Sequence, residues 1–310
     1  MNRKRCGGGT SIEPVLRCLS LGAGVQSTTM ALMAAHGALD PMPDCAIFAD
    51  TGWEPRAVYD HLAWLASGNV LPFPVHIVSK SNLRDDLIDG VRNPRKRFAA
   101  VPFFTREHRP AGTRVPVLDV DDRIVGERVL TSPEDRLGIG RRQCTYEYKI
   151  QPISRHLREL LGYAPKARIP QASVEVWIGI SLDEVFRMKP ARVNWQTNRW
   201  PLLEERMTRQ RCLDWLADHN YPLPPKSSCI GCPYHSDTHW RAMRDETPEE
   251  WQDAIEMDRF IRNGGTQRGL RAQQYLHRSC QPLDQVDLDR NDNAGQLNLM
   301  LEECDGICGV

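Results

Sequence analysis

The chain has 310 residues, enough for one large or two modest domains, and its 41% hydrophobic and 26% charged residues suit a globular fold and exclude a disordered or fibrous one. Forty basic side chains meet forty acidic ones, so the net charge is zero and no global field favours nucleic acid or an anionic membrane, although local basic clusters can still act. No apolar run is long enough to cross a bilayer, and the basic start MNRKRCGGGTSIEP lacks the apolar core of a signal peptide, so residues 1–14 read as a flexible tail on a cytoplasmic protein with no membrane partner.

The first element is an apolar run from Val15 to Leu19 that ends at Ser20. Gly22 and Gly24 then alternate with small residues, and Ser27-Thr28-Thr29 opens a helical pattern through Met33. Strand, glycine turn and helix in this order aim backbone N–H groups at one point, which suits a bound anion; the alternative is a plain βα turn. The Lys-Ser/Thr pair of a Walker A loop is missing, and Ser27 stands where a dinucleotide fingerprint needs its third glycine or alanine.

A second strand, Cys45–Ala49, ends in Asp50-Thr51-Gly52, with a helix expected from about Glu54 and Pro55. Phe73–Val78 reads as a third strand and Leu83–Ile88 as a short helix. The βαβαβ order predicts a parallel sheet, with ligands beyond the C-terminal strand ends, where Ser20–Ser27 and Asp50–Gly52 both fall. Residues 91–137 are charged and proline-punctuated, an inserted lid or binding loop with one short hairpin near Val117–Val129, or else a disordered excursion. Order returns with Gly138–Thr145 and a helix from Tyr148 to Leu161. Val174–Ile180 is another buried strand, followed by Ser181-Leu182-Asp183-Glu184. Residues 190–206 read as irregular, Thr208 as the cap of a helix through His219, and Asp237–Arg262 as helical with a break at Thr247-Pro248. The tail after Gly264 is polar.

Ten cysteines are too few for a disulfide scaffold of this length, so clustered ones point to metal or redox chemistry. Cys229-x-x-Cys232 can chelate one metal or cluster through a turn that Gly231 permits. Zinc would need further ligands, for which His235 and His239 are candidates. Cys144 sits beside Arg141 and Arg142 at a helix start, which favours the thiolate as ligand or nucleophile. Arg141, Arg142 and Lys149 are equally phosphate ligands or a solvated basic face. Cys144, Cys229 and Cys232 together supply three cluster ligands, with Cys304 or Cys308 available for a fourth. Cys18, Cys45, Cys212 and Cys280 read as structural.

Taken in order, SLGAGVQST, ADTGWEP, GRRQCTYEYKIQPI, GISLDEVFRMK and PPKSSCIGCPYHS resemble the PP-loop ATP pyrophosphatase superfamily, in its phosphoadenylylsulfate (PAPS) reductase-like branch, close to the iron–sulfur component of DNA phosphorothioation systems. The resemblance covers about residues 15–90 and 138–262. It implies an α/β, Rossmann-like adenine nucleotide α-hydrolase fold over residues 15–205, interrupted by the 91–137 insertion, and a helical, cysteine-bearing region over 206–310. It places Ser20, Gly22, Ala23, Gly24, Gln26, Ser27 and Thr28 at the phosphates of ATP or PAPS. Asp50, Thr51 and Gly52 would lie near the nucleotide or its Mg²⁺; Gly179, Asp183, Arg187, Arg141, Arg142 and Lys149 would also contact the nucleotide. The implied cofactor is a 4Fe-4S cluster on Cys144, Cys229, Cys232 and Cys308, with zinc as the alternative, and the reactive cysteines are Cys144, Cys304 and Cys308. The commonest PP-loop reads S-G-G-x-D-S, whereas Leu21 and Gln26 depart from it here, and the ending E-C-D-G-I-C-G-V departs from the reductase tail.

Two enzymatic expectations follow from the resemblance. One is ATP-dependent sulfur transfer to an adenylated acceptor, a nucleic acid being one candidate tracked by Arg92–Arg97 and Arg106–Arg114, with sulfur from a cysteine desulfurase. The other is reduction of adenylylsulfate or PAPS to sulfite with a thioredoxin-like donor. A non-catalytic nucleotide- or nucleic-acid-binding module with a structural metal is the third expectation.

Overall fold

The computed structural model describes residues 13–96, 101–121, 123–266 and 269–289. The expected Cys304 and Cys308 lie outside them, as does most of the N-terminal tail. In chain order the elements begin β1 (Leu16–Leu21), α1 (Val25–Ala35), β2 (Cys45–Asp50), α2 (Arg56–Ala66), β3 (Val75–Ser79) and α3 (Leu83–Arg92). An antiparallel region follows, with β4 (Phe104–Arg109), β5 (Arg114–Leu118), β6 (Ile124–Val129) and β7 (Glu134–Ile139). A π-helical turn (Thr145–Ile150) runs into α4 (Gln151–Leu160), then β8 (Val174–Trp177), a 3₁₀ turn (Leu182–Arg187), β9 (Gln196–Arg199), α5 (Pro201–Glu204), α6 (Arg209–Asp218), α7 (Asp237–Glu246), α8 (Pro248–Ile261) and β10 (Gln273–Tyr275).

Five strands form one parallel sheet in the order β3-β2-β1-β8-β9, flanked by helices, so the fold is α/β and Rossmann-like. Chain order reverses between β1 and β8, and a crevice at such a switch point is where open parallel sheets take ligands. β1 and β2 are buried nearly throughout, which explains why they read as continuous apolar runs rather than alternating ones. α1 is buried from Val25 to Ala34 and packs with Leu62 and Leu65 of α2 and Leu216 of α6 on one face of the sheet. Ile153 and Leu157 of α4 cover the other face, over Cys18, Cys45 and Val176. A third cluster joins Trp240, Trp251 and Ile255 of α7 and α8 to Leu83, Leu87, Phe103, Tyr148 and Trp53.

Four expectations are corrected here. Residues 190–206 contain β9, a polar strand whose pairing with β8 runs from Val174↔Gln196 to Trp177↔Arg199. The 91–137 insertion is not a single short hairpin in a loop: β4 pairs with β7 from Phe104↔Ile139 to Arg109↔Glu134, and β5 pairs with β6 beyond them. The polar stretch after Gly264 supplies β10, which pairs with the other edge of β4. The apolar strand expected to run to Ile180 ends at Trp177, and Ile178 and Ile180 form a turn through an Ile180 N–H bond to the Ile178 carbonyl.

The loops after β1 and β8 meet at Gly179, where a Cβ would stand 3.1 Å from the Ser27 nitrogen and 3.2 Å from its Cα. Both neighbours are backbone, so neither can swing aside. Gly179→Ala is therefore expected to cost about 1–3 kcal/mol through overpacking, read as a lowered midpoint in urea denaturation. Gly68→Ala, with no atom within 4 Å of the added carbon, should leave the midpoint close to that of the parent chain.

Candidate functional site

The loop from β1 to α1 is drawn tight by its own side chains. Gly22 N–H donates to Ser27 Oγ at 3.1 Å, and Ser27 Oγ lies 3.4 Å from the Gly24 carbonyl. Ala23, between the two glycines, holds φ +57°, a left-handed conformation that an alanine adopts only under constraint. Gly24 begins α1 with no side-chain cap, whereas Asn82, Thr208 and Ser236 cap α3, α6 and α7. Thr28 does not face the crevice as expected. Its Oγ1 is 3.0 Å from His61 Nε2, and burial lowers the His61 pKa to about 4, so a neutral imidazole holds it. What this loop offers a ligand is mainly backbone.

Gln26 is the hub between this loop and the 3₁₀ turn. Its Nε2 reaches Glu184 Oε2 at 3.5 Å and its Oε1 accepts from Arg209 Nη1 at 3.3 Å. Arg187, expected at phosphates, pairs with Glu184. Asp183 accepts the Arg209 N–H at 2.7 Å and so fixes the start of α6. Glu184 and Arg209 were not singled out from the sequence, since a charged residue beside a helix start gives no local sign of its tertiary partner.

At the end of β2, Asp50 Oδ1 accepts the Gly52 N–H at 2.7 Å and the Tyr59 hydroxyl at 2.8 Å. Burial and the adjacent carboxylate hold the Tyr59 hydroxyl protonated far above neutral pH. Gly52 sits at φ +70°, and a Cβ there would strike Asn82 at 2.9 Å, so this position needs glycine.

Next to this loop lies the cysteine turn. Cys232 N–H donates to the Cys229 carbonyl at 3.0 Å, and Ile230 N–H donates to the Trp53 carbonyl at 2.9 Å. Gly231 lies flat on the Trp53 ring, where a Cβ would come 2.0 Å from Cη2. Trp53 Nε1 in turn donates to Asp253 at 2.6 Å, and Asp253 pairs with Arg84 at 2.5 Å. Thr51 Oγ1 is 3.3 Å from Cys229 Sγ and 3.0 Å from Glu54 Oε1. Lys149 Nζ stands 3.7 Å from that same Glu54 oxygen, both side chains being buried. Desolvation raises the Cys229 thiol pKa well above its ordinary value; Glu54 adds to the rise and Lys149 opposes it.

A pocket opens here, lined by Thr51, Trp53, Arg142, Cys144, Lys149, Cys229, Cys232 and Tyr234 with Leu83 and Val101 among its apolar wall. Three sequence-predicted cysteines thus share one wall. The π-helical turn carries Lys149 to it and begins directly after Cys144, and wide turns of this kind recur at functional sites. Arg142 lies over the Tyr234 ring at 5.3 Å, while Arg141 is exposed and absent from the cavity wall. The β1–α1 loop is also absent from that wall; Thr51 and Trp53 form the junction between the two regions. Glu54 and Trp53 were legible only as parts of the ADTGWEP motif, not as partners of the cysteines.

His235 does not offer its Nε2 to a metal ion. His235 Nε2 lies 3.0 and 3.2 Å from the Cys229 and Ile230 carbonyls. Carbonyls only accept, so this nitrogen carries a proton and braces the turn from behind. Among the described residues no three His, Cys, Asp or Glu side chains converge on one point for a metal ion. Some of the insertion's cations are paired with acids: Arg109 with Glu107, Arg114 with Glu127 and Lys96 with Asp89 of α3, while Arg106 bonds the Tyr275 hydroxyl. Among the described residues no helix is long and apolar enough to cross a membrane.

Comparison with protein-family models finds no match to this chain, and comparison with curated proteins finds none either.

Two outcomes follow from this geometry. Gly231→Ala should force the turn off Trp53 and increase labelling of Cys229 and Cys232 by a thiol reagent, with Tm lowered; unchanged labelling would contradict the seating described. His61 and His239 both titrate near pH 4 in the folded chain against about 6.5 when exposed. Between those values the unfolded chain binds more protons, so their contribution is complete above about pH 6.5 and lost as pH falls toward 4. His61→Gln should flatten the fall of urea-denaturation stability over that window.

Proposed function

We propose that this chain is an ATP-dependent sulfurtransferase of the adenine nucleotide α-hydrolase type. The observation that carries the reading is the contact of Thr51 with Cys229, which joins the strand-end loop suited to phosphates to a cavity walled by three thiols. The ordered sequence motifs support it as well. Ala23, Gly24, Gln26 and the start of α1 would receive the phosphates through backbone N–H groups, with Arg187 released from Glu184 to join them. Asp50 would hold the magnesium ion that accompanies ATP.

In the first step an oxygen of the acceptor attacks the α-phosphorus, the α–β phosphoanhydride bond breaks, and pyrophosphate leaves. In the second, the terminal sulfur of a persulfide on one of the cavity cysteines attacks the activated acceptor atom, and AMP leaves with the former acceptor oxygen. The resulting acceptor–cysteine disulfide is resolved by a neighbouring thiol, giving the thiolated acceptor and a protein disulfide that an external dithiol reduces. Lys149 and Arg142 favour the anionic sulfur species, and the apolar wall formed by Leu83, Val101 and Trp53 excludes water from the activated acceptor.

Cys144, Cys229 and Cys232 line one pocket, and as three thiols they are the donor set that an iron–sulfur cluster would use in place of the persulfide route. When bound, such a cluster would supply electron transfer or an open iron site for sulfur.

The test is pyrophosphate release from [α-³²P]ATP by the full-length chain, with candidate acceptors that include nucleic acid. Acceptor-dependent pyrophosphate and AMP are expected, and Cys229→Ser and Cys232→Ser should retain pyrophosphate formation while losing sulfur incorporation. Sulfite release from adenylylsulfate without ATP cleavage would instead favour the reductase, and ATP binding with no turnover of either substrate would favour a binding module. An anaerobic preparation assayed for iron, acid-labile sulfide and zinc should give iron and sulfide together.

A further inference from the structure

Thr51 is 1% exposed and lies between the two halves of the site. Its hydroxyl is 3.0 Å from Glu54 Oε1 and 3.3 Å from Cys229 Sγ, and it accepts the Trp53 N–H at 3.3 Å. Its chain neighbours are the Asp50 carboxylate and Gly52, the groups nearest the strand-end crevice. Gly52 cannot yield toward α3, because Asn82 already fills the space beside it and bonds its carbonyl at 2.9 Å. A displacement of the Asp50–Gly52 loop is therefore passed to Thr51.

A second observation indicates that this junction has another arrangement within reach. Glu54 Oε2 is buried and lacks a hydrogen-bond partner, a costly state for a carboxylate oxygen. Lys149 Nζ stands at 3.7 Å from Oε1, too far for a direct hydrogen bond. A small shift of the Thr51 hydroxyl from Oε1 to Oε2 would satisfy that oxygen and draw the hydroxyl away from Cys229 Sγ, leaving the thiol its 3.6 Å contact with Glu54 Oε1. Two packings of one buried cluster are what a ligand can bias.

We propose that Thr51 is a positioning residue that couples nucleotide binding in the strand-end crevice to the exposure of the Cys229 thiol, selectively over Cys232 and Cys144. The inference rests on the reading that an adenine nucleotide binds there. Linkage makes the effect reciprocal, so chemical capping of Cys229 changes nucleotide affinity by the same factor as nucleotide changes the capping equilibrium.

The test uses the full-length chain, stripped of metal with a chelator under argon and pulsed with iodoacetamide, with and without saturating Mg·ATP. Fragment-ion mass spectrometry reads each cysteine separately, and calorimetry checks ATP binding in the same samples. The expected result is a change of roughly fivefold or more in the Cys229 labelling rate, with much smaller changes at Cys232 and Cys144. In Thr51→Val, at saturating ATP, the Cys229 ratio should return to near unity, and Thr51→Ser should restore it. Equal protection of all three thiols, or protection that persists in Thr51→Val, would mean direct shielding by the nucleotide and overturn the coupling. Calorimetric binding with no change at Cys229 would overturn the coupling alone, leaving the nucleotide reading intact. Absence of ATP binding up to millimolar concentration would remove both. Should Thr51→Val fail to fold, Thr51→Ala, which also lacks the hydroxyl, is read in the same way.

Discussion

The Cys229–Cys232 turn rests on the indole face of Trp53, and the rest of the thiol wall depends on that contact. The ring allows no side chain at position 231, and the Ile230 N–H bond to the Trp53 carbonyl fixes the turn's height above it. The indole is held at its nitrogen by Asp253 of α8, which Arg84 of α3 orients. A loop that begins at the end of a sheet strand is thereby packed among helices from the far end of the chain. Buried aromatic rings contribute both area and orientation, and here the orientation decides where two thiols point.

The strand-end crevice follows a different principle. Its charged groups are already paired with one another: Arg187 with Glu184, Arg209 with Gln26, and the Arg209 N–H with Asp183. Such pairing keeps a partly buried cation from standing unsatisfied and holds α6 against the loop after β8. An incoming polyanion would have to replace Glu184 as the partner of Arg187, and the binding energy of that exchange is a difference between two ion pairs rather than a full one. In the β1–α1 loop the Ser27 hydroxyl accepts the Gly22 N–H and lies beside the Gly24 carbonyl, and the Thr28 hydroxyl turns to His61.

The β5–β6 ribbon of the insertion pairs with neither region, although Val101, ahead of β4, lines the cysteine pocket. β6 is exposed along its whole length, and β5 and β6 pair with each other rather than with the parallel sheet. Several of the cations that make the segment look basic in sequence are answered by nearby acids on the same ribbon. A local count of arginines therefore overstates the field that a polyanion would meet.

The sequence by itself determined the elements whose signals are local. Buried parallel strands announce themselves as apolar runs, Thr208 as a helix cap, and Pro248 as the start of a new helix; the structure has β1, β2, the α6 cap and the α7–α8 break at those places. It also singled out Cys144, Cys229, Cys232, Lys149 and Thr51, because reactive residue types beside glycines and helix starts are conspicuous wherever they fall. Only tertiary structure decided β9 and β10, whose residues QTNR and QQY carry no strand signal and become strands because β8 and β4 present open edges to them. It alone turned Thr28 away to His61, ruled His235 Nε2 out as a ligand, and brought Glu54 beneath Cys229 across 175 residues of chain. Hydrogen-bond partners and desolvation are properties of what a side chain is packed against, and that is settled by the whole fold rather than by the neighbours in sequence.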